Sequence, residues 1–162
     1  MPDRTVADIM TRSVITLSPE TDIYAGVRTL LKHKITGAPV VGVDGRLAGF
    51  LSEKDCLKVL VAGALDGLPE GLVQDYMTLD VQTIAPSGSL YDAVHLFISQ
   101  TYRRLPVVDD TGKLVGQITR RDVLAAIEAI RDDPRLYGTK DAKPFEGTGV
   151  DSAMRIARGR RH

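Results

Sequence analysis

Gly49-Phe-Leu-Ser52-Glu-Lys-Asp55 and Gly116-Gln-Ile-Thr119-Arg-Arg-Asp122 carry one pattern twice: a glycine, a hydroxyl three residues on, and an aspartate three further. Outward from these stretches the chain overlays on itself without a gap at an offset of 67 residues, Val6 falling on Val73 and Leu60 on Ile127. Met10-Thr11 lies over Met77-Thr78, Pro19 over Pro86, Pro39-Val40-Val41 over Pro106-Val107-Val108, and Gly45 over Gly112. Two copies of one unit must share a core, and the pseudo-twofold between them sets equivalent loops face to face in paired clefts.

Within each copy a short extended segment, Val14 to Leu17 or Val81 to Ile84, meets a proline that stops it and permits a helix to start. Ile23, Val27, Leu30 and Leu31 then recur at helical spacing, as do Leu90, Val94, Phe97 and Ile98, which gives each helix one apolar stripe for the core. Two β-runs around a tight turn follow: Ala38 to Val43 and Arg46 to Leu51 in the first copy, Leu105 to Asp109 and Lys113 to Ile118 in the second. A second helix closes each unit, from Glu53 to about Ala62 and from Arg120 to about Ile130. The unit is therefore β-α-β-β-α, with repeat one over 6–62 and repeat two over 73–130, in a module spanning 1–130. The glycine-rich 63–72 reads as the linker. Residues 131–162 lose the apolar period and end in Arg155, Arg158, Arg160 and Arg161, so they read as a loop-rich or disordered basic tail.

Composition narrows the class of function. The 162 residues suit one compact domain, and 43% hydrophobic with 26% charged residues is ordinary globular usage. Twenty-one basic and 21 acidic side chains balance, which argues against a dedicated nucleic-acid binder. The single Cys56 excludes an internal disulfide and suggests a reducing compartment, and no apolar run approaches the roughly 20 residues of a bilayer span. A cytoplasmic location is expected. His33, His95 and His162 sit at non-equivalent positions without a metal-ligand spacing, and there is no Walker glycine loop, GxSxG elbow or CxxC. The chain is expected to be neither an enzyme nor a metal binder.

The repeat resembles a pair of CBS domains, the cystathionine-β-synthase-type unit whose pairs are called Bateman modules. The likeness rests on Val6-Ala-Asp-Ile-Met10-Thr11 with Val73-Gln-Asp-Tyr-Met77-Thr78, on Gly37-Ala38-Pro39-Val40-Val41 with Arg104-Leu105-Pro106-Val107-Val108, and on the two glycine-hydroxyl-aspartate stretches. It covers nearly all of residues 3–130. The implied fold is α/β, or α+β in schemes that separate the two, with two pseudo-symmetric copies packed through their sheets.

A hydroxyl and a carboxylate at the mouth of the second helix can accept bonds from the vicinal hydroxyls of a ribose, and the helix start favours phosphate. The same residues are also ordinary capping boxes. The resemblance implies two composite sites, each joining one repeat's second helix to the other repeat's strand ends. The first gathers Ser18, Ile23, Ile35, Thr36, Gly37 and Ala38 with Arg103, Arg104, Thr119, Arg120, Arg121 and Asp122. The second, weaker one gathers Ser52, Lys54 and Asp55 with Ala85, Leu90 and Tyr102, and shares Thr36 and Arg103 with the first. Because arginine's planar fork suits phosphate, the first is expected to prefer a phosphorylated ligand. The implied ligands are AMP, ADP, ATP or S-adenosylmethionine, bound as regulators rather than catalysts. The resemblance further implies a homodimer built on helix faces and a regulated partner protein. Two other readings stand beside it: a constitutive dimerisation adaptor with vestigial clefts, and a nucleic-acid-binding accessory that uses the arginine tail.

Overall fold

The computed structural model describes residues 4–63, 67 and 70–133. Its elements in chain order are α1 (Val6–Ile9), α2 (Ile23–His33), β1 (Gly37–Val41), β2 (Leu47–Ser52), α3 (Glu53–Gly63), α4 (Val73–Tyr76), α5 (Leu90–Ser99), β3 (Arg104–Val108), β4 (Leu114–Thr119) and α6 (Arg120–Arg131). The tail beyond Asp133 and part of the expected linker lie outside the described residues.

Each repeat is organised on a hairpin. β1 pairs antiparallel with β2, and β3 with β4, in the same register: Ala38 opposes Leu51 as Leu105 opposes Ile118. The turns need a left-handed residue, supplied by Gly45 at φ +82° and Gly112 at φ +84°. In each turn an aspartate locks the backbone, Asp44 accepting from the Arg46 N–H and Asp109 from that of Thr111. The result is two separate two-stranded antiparallel sheets with helices against them, so the α+β description holds. The hairpins meet at their tips, where Leu47 N–H donates to Gly112 O and Leu114 N–H to Gly45 O.

The extended segments Val14–Leu17 and Val81–Ile84 form less strand than their sequence suggests. Only Leu17 and Ile84 pair, each through a single parallel bridge to Val40 or Val107. The proline two residues later ends the pairing at once, since it supplies no N–H.

The short lead-in helices do most to define the molecule. Val6 of α1 is fully buried in the second repeat's core, among Leu90, Leu105 and Ile118. Val73 of α4 is fully buried in the first repeat's core, among Ile23, Leu30 and Leu51. Backbone bonds follow the exchange: Val6 N–H donates to Gly88 O at 2.7 Å, and Val73 N–H to Thr21 O at 2.8 Å. Each lead-in then crosses the other repeat's second strand. Thr11 exchanges two backbone bonds with Gln117, and Thr78 does the same with Phe50. A Cβ on Gly116 would fall 2.6 Å from Met10 Sδ, and one on Gly49 2.7 Å from Met77 Sδ. The repeated Met-Thr and the repeated glycine are thus two sides of one contact, made across the pseudo-twofold.

Candidate functional site: two clefts between the repeats

The first cleft to consider opens at the junction of β2 and α3. Ser52 N–H and Oγ–H both donate to Asp55 Oδ2, at 3.0 and 2.9 Å, and Asp55 N–H returns a bond to Ser52 Oγ at 3.1 Å. The capping box is therefore real, and more is built on it. Asp55 is only 2% exposed, yet its carboxylate is fully partnered by Lys58 Nζ at 3.1 Å and by Thr78 Oγ at 3.3 Å from either oxygen. Beside this cluster lies a cavity of about 240 Å³, walled by Phe50, Ser52, Asp55 and Thr78 on one side and by Tyr102, Arg103, Arg104 and Pro106 on the other.

The pseudo-symmetric cleft at the start of α6 is built differently. Thr119 N–H and Oγ–H again donate to Asp122 Oδ2, each at 2.8 Å. Ala125 stands where repeat one has Lys58, and among the described residues no donor reaches Asp122 Oδ1. Arg104 fills the space between the repeats here, donating from Nη2 to Thr36 Oγ at 2.9 Å and from Nη1 to Gly37 O at 3.1 Å. What remains is a hollow of about 140 Å³ bordered by Thr11, Ile35, Gly37, Arg104 and Gln117. Gln117 Oε1 is buried there without a hydrogen-bond partner. Arg104 has no carboxylate within ion-pairing distance among the described residues, and burial pulls its guanidinium below the ordinary arginine pKa.

The CBS domain family model matches twice, over residues 6–62 and 73–129. This chain belongs to the CBS domain family. The MJ1426 protein of Methanocaldococcus jannaschii is 32% identical over 152 residues, covering 75% of this chain and 90% of that protein. Among solved structures, Arabidopsis thaliana CBSX2 in complex with AMP is similar at 32% identity and a TM-score of 0.69, with 78% of this chain and 98% of that one covered. The CBS pair of protein MJ0100, solved with 5-methylthioadenosine and S-adenosyl-L-methionine, is similar at 27% identity and a TM-score of 0.65, over 79% of this chain and 98% of that one.

In this CBS pair the sequence-derived site residues are divided between the two clefts, the outer surface and the repeat cores. Ser52, Asp55, Tyr102, Arg103 and Arg104 line the larger cleft, whereas Ile35, Gly37 and Arg104 border the smaller one with Thr36 at its rim. Thr119 and Asp122 stand half-buried at the start of α6. Ser18, Lys54, Ala85 and Arg121 are exposed and border neither cavity, and Ser18 Oγ is engaged with Glu20. Arg120 turns instead toward an outer groove between α5 and α6. Ile23, Ala38 and Leu90 are each at most 1% exposed and pack into the repeat cores, and they border neither cavity. Arg103, assigned from the sequence to both clefts, lies in the wall of the Ser52/Asp55 cleft.

The sequence reading missed Phe50, Thr78, Pro106 and the segment 80–82 in one cleft, and Thr11, Gln117 and the segment 13–15 in the other. Strand alternation gives a signal for two of them. Leu51 and Ile118 face the cores, so Phe50 and Gln117, one residue earlier, share a face with Ser52 and Thr119. A hollow of about 640 Å³ is the α5/α6 groove, lined by Phe97, Ile98, Leu124 and Ile127 with Arg103 and Arg120 at its polar side. It is an open, mainly apolar helix face that shares Arg103 with the Ser52/Asp55 cleft. Among the described residues no helix is long and apolar enough to cross a membrane.

Proposed function

We propose that this CBS pair is a regulatory, non-catalytic module that takes an adenosyl ligand between its repeats and relays occupancy to a partner protein. The observation that carries the reading is the Ser52/Asp55 cavity, walled by a hydroxyl and carboxylate from one repeat and by Tyr102, Arg103 and Arg104 from the other. Ser52 Oγ and Asp55 Oδ1 are acceptors for ribose hydroxyls, which would take the place of the exposed Lys58 and Thr78 donors on Asp55; Phe50 and Tyr102 offer aromatic faces to a base, and the two arginines offer planar forks to phosphate. The ligands held by CBSX2 and by the MJ0100 pair, AMP in one and S-adenosylmethionine with methylthioadenosine in the other, support this class of compound. Sequence reading gave the phosphate to the Thr119 cleft because arginines cluster around it. The position of Arg103 and Arg104 in the wall of the other cavity favours the Ser52/Asp55 side.

Regulation requires the ligand to bind two states unequally. The exchanged lead-ins provide the linkage: Thr78 touches both Asp55 and the strand of Phe50, so a ligand at Asp55 bears on the segment that leads into repeat two. A second copy is proposed to cover the outer helices. Leu31, Leu57, Leu60, Ile98 and Leu124 lie on α2, α3, α5 and α6 and are each 61–72% exposed, a larger apolar face than a monomer ordinarily leaves open.

A thermal-shift series with AMP, ADP, ATP and S-adenosylmethionine tests the reading. A ligand at 100 times its Kd stabilises by about 2.7 kcal/mol, and Tyr102→Ala should abolish the shift. Unchanged melting with every compound, together with no nucleotide released from the purified protein on denaturation, would leave the dimerisation adaptor as the better account.

A further inference from the structure

We propose that Arg104 is a single gate shared by both clefts. It plugs the Thr119/Asp122 cleft in its present position, and a phosphate-bearing ligand in the Ser52/Asp55 cleft draws it across, opening the plugged site to a neutral nucleoside. The inference rests on the adenosyl-ligand reading above and adds its regulation.

Arg104 is the residue that borders both cavities. Its counterpart in repeat one is Gly37, which carries no side chain and lies against the Phe50 ring, where a Cβ would come within 2.5 Å of Cε1. The pseudo-twofold therefore brings one guanidinium, not two, to the junction of the repeats. The plug is held weakly. Both of its acceptors, Thr36 Oγ and Gly37 O, are neutral, and no carboxylate compensates the half-buried charge among the described residues. A phosphate in the neighbouring cavity offers the guanidinium two bonds to an opposite charge in place of two bonds to neutral oxygens, so the exchange favours the anion.

The plugged cleft has its own unused chemistry. With Arg104 in place the hollow is about 140 Å³, against about 240 Å³ for the Ser52/Asp55 cavity. It nevertheless keeps an acceptor without a donor among the described residues, the buried Gln117 Oε1. That acceptor calls for a ligand with N–H or O–H groups. With Arg104 withdrawn, the space fits a nucleoside without phosphate.

Calorimetric titration of adenosine and of AMP into the full chain tests the gate. Wild type should bind adenosine at one site per chain and AMP at least tenfold more tightly than adenosine. Arg104→Gly, which installs the counterpart residue, and Arg104→Ala should each bind adenosine at two sites per chain, with the preference for AMP reduced at least tenfold. Arg104→Gln keeps the reach of the side chain without its charge, and it should lose the AMP preference even if the shorter variants fold poorly. An adenosine stoichiometry that stays at one in both truncated variants, or an AMP preference unaltered in all three, overturns the gate while leaving the adenosyl site intact. A wild type that binds neither compound overturns the adenosyl reading itself, and the gate with it.

Discussion

Asp55 and Asp122 occupy equivalent positions and are held differently. Asp55 is buried and receives bonds from Ser52, Thr78 and Lys58, so removing its carboxylate breaks all of them and leaves the half-buried Ser52 donors without their acceptor. Asp55→Ala should lower unfolding free energy by about 2–3 kcal/mol. Asp122→Ala removes one capping partner and should lower it by about 1 kcal/mol. Urea unfolding of both variants checks the ordering, and equal losses would mean the Thr78 and Lys58 contacts contribute nothing. Half of this difference was legible, because Lys58 against Ala125 can be read directly. The other half was not: Thr78 and Thr11 are the same residue type, and only the packing decides that the first reaches its aspartate. At Ile23, Ala38 and Leu90 two readings meet: the family likeness implies a ligand nearby, and helical and strand periodicity assigns their side chains to the cores, where they lie.

At the level of elements, the exchange of α1 and α4 governs stability. Val6 is the sixth residue of the chain and sits in the core of the second repeat. Val6→Ala should destabilise by about 2 kcal/mol. Hydrogen exchange should place the loosening in α5, β3 and β4, leaving α2 and β1 protected; faster exchange in repeat one would contradict the exchange of segments. The junction of α1 with α5 is also acid-sensitive. Thr5 N–H donates to Asp8 Oδ2 and Ser89 N–H to Asp92 Oδ2, and those bonds hold both carboxyls below the ordinary aspartate pKa. Because the folded pKa is depressed, the stabilisation is complete above the unfolded value of about 4. It is lost as pH falls through the lower folded value. The double variant Asp8→Asn, Asp92→Asn should therefore show a shallower fall in Tm between pH 5 and 3 than wild type. The hairpins and long helices were readable from period and turn residues, and α3 and α6 end one residue beyond their expected limits. The four-residue helices were not, since so short a run has no period to detect and its burial depends on the distant repeat.

For the whole molecule, the apolar helix faces should close on a second copy. A chain ending at Arg131 retains those faces and is expected to elute as a dimer in light-scattering chromatography. Leu60→Glu with Leu124→Glu should make it a monomer, and a monomer before those changes would show that the outer helices serve another purpose. The central claim is narrower: an adenosyl ligand sits between the repeats, against Ser52 and Asp55. An amide chemical-shift titration of the full chain with AMP tests it most directly. The account predicts saturable shifts concentrated at Phe50, Ser52, Thr78, Tyr102 and Arg104, the residues around the larger cleft. Shifts confined to the α5/α6 groove, or no shifts at millimolar AMP, adenosine and S-adenosylmethionine, would contradict it.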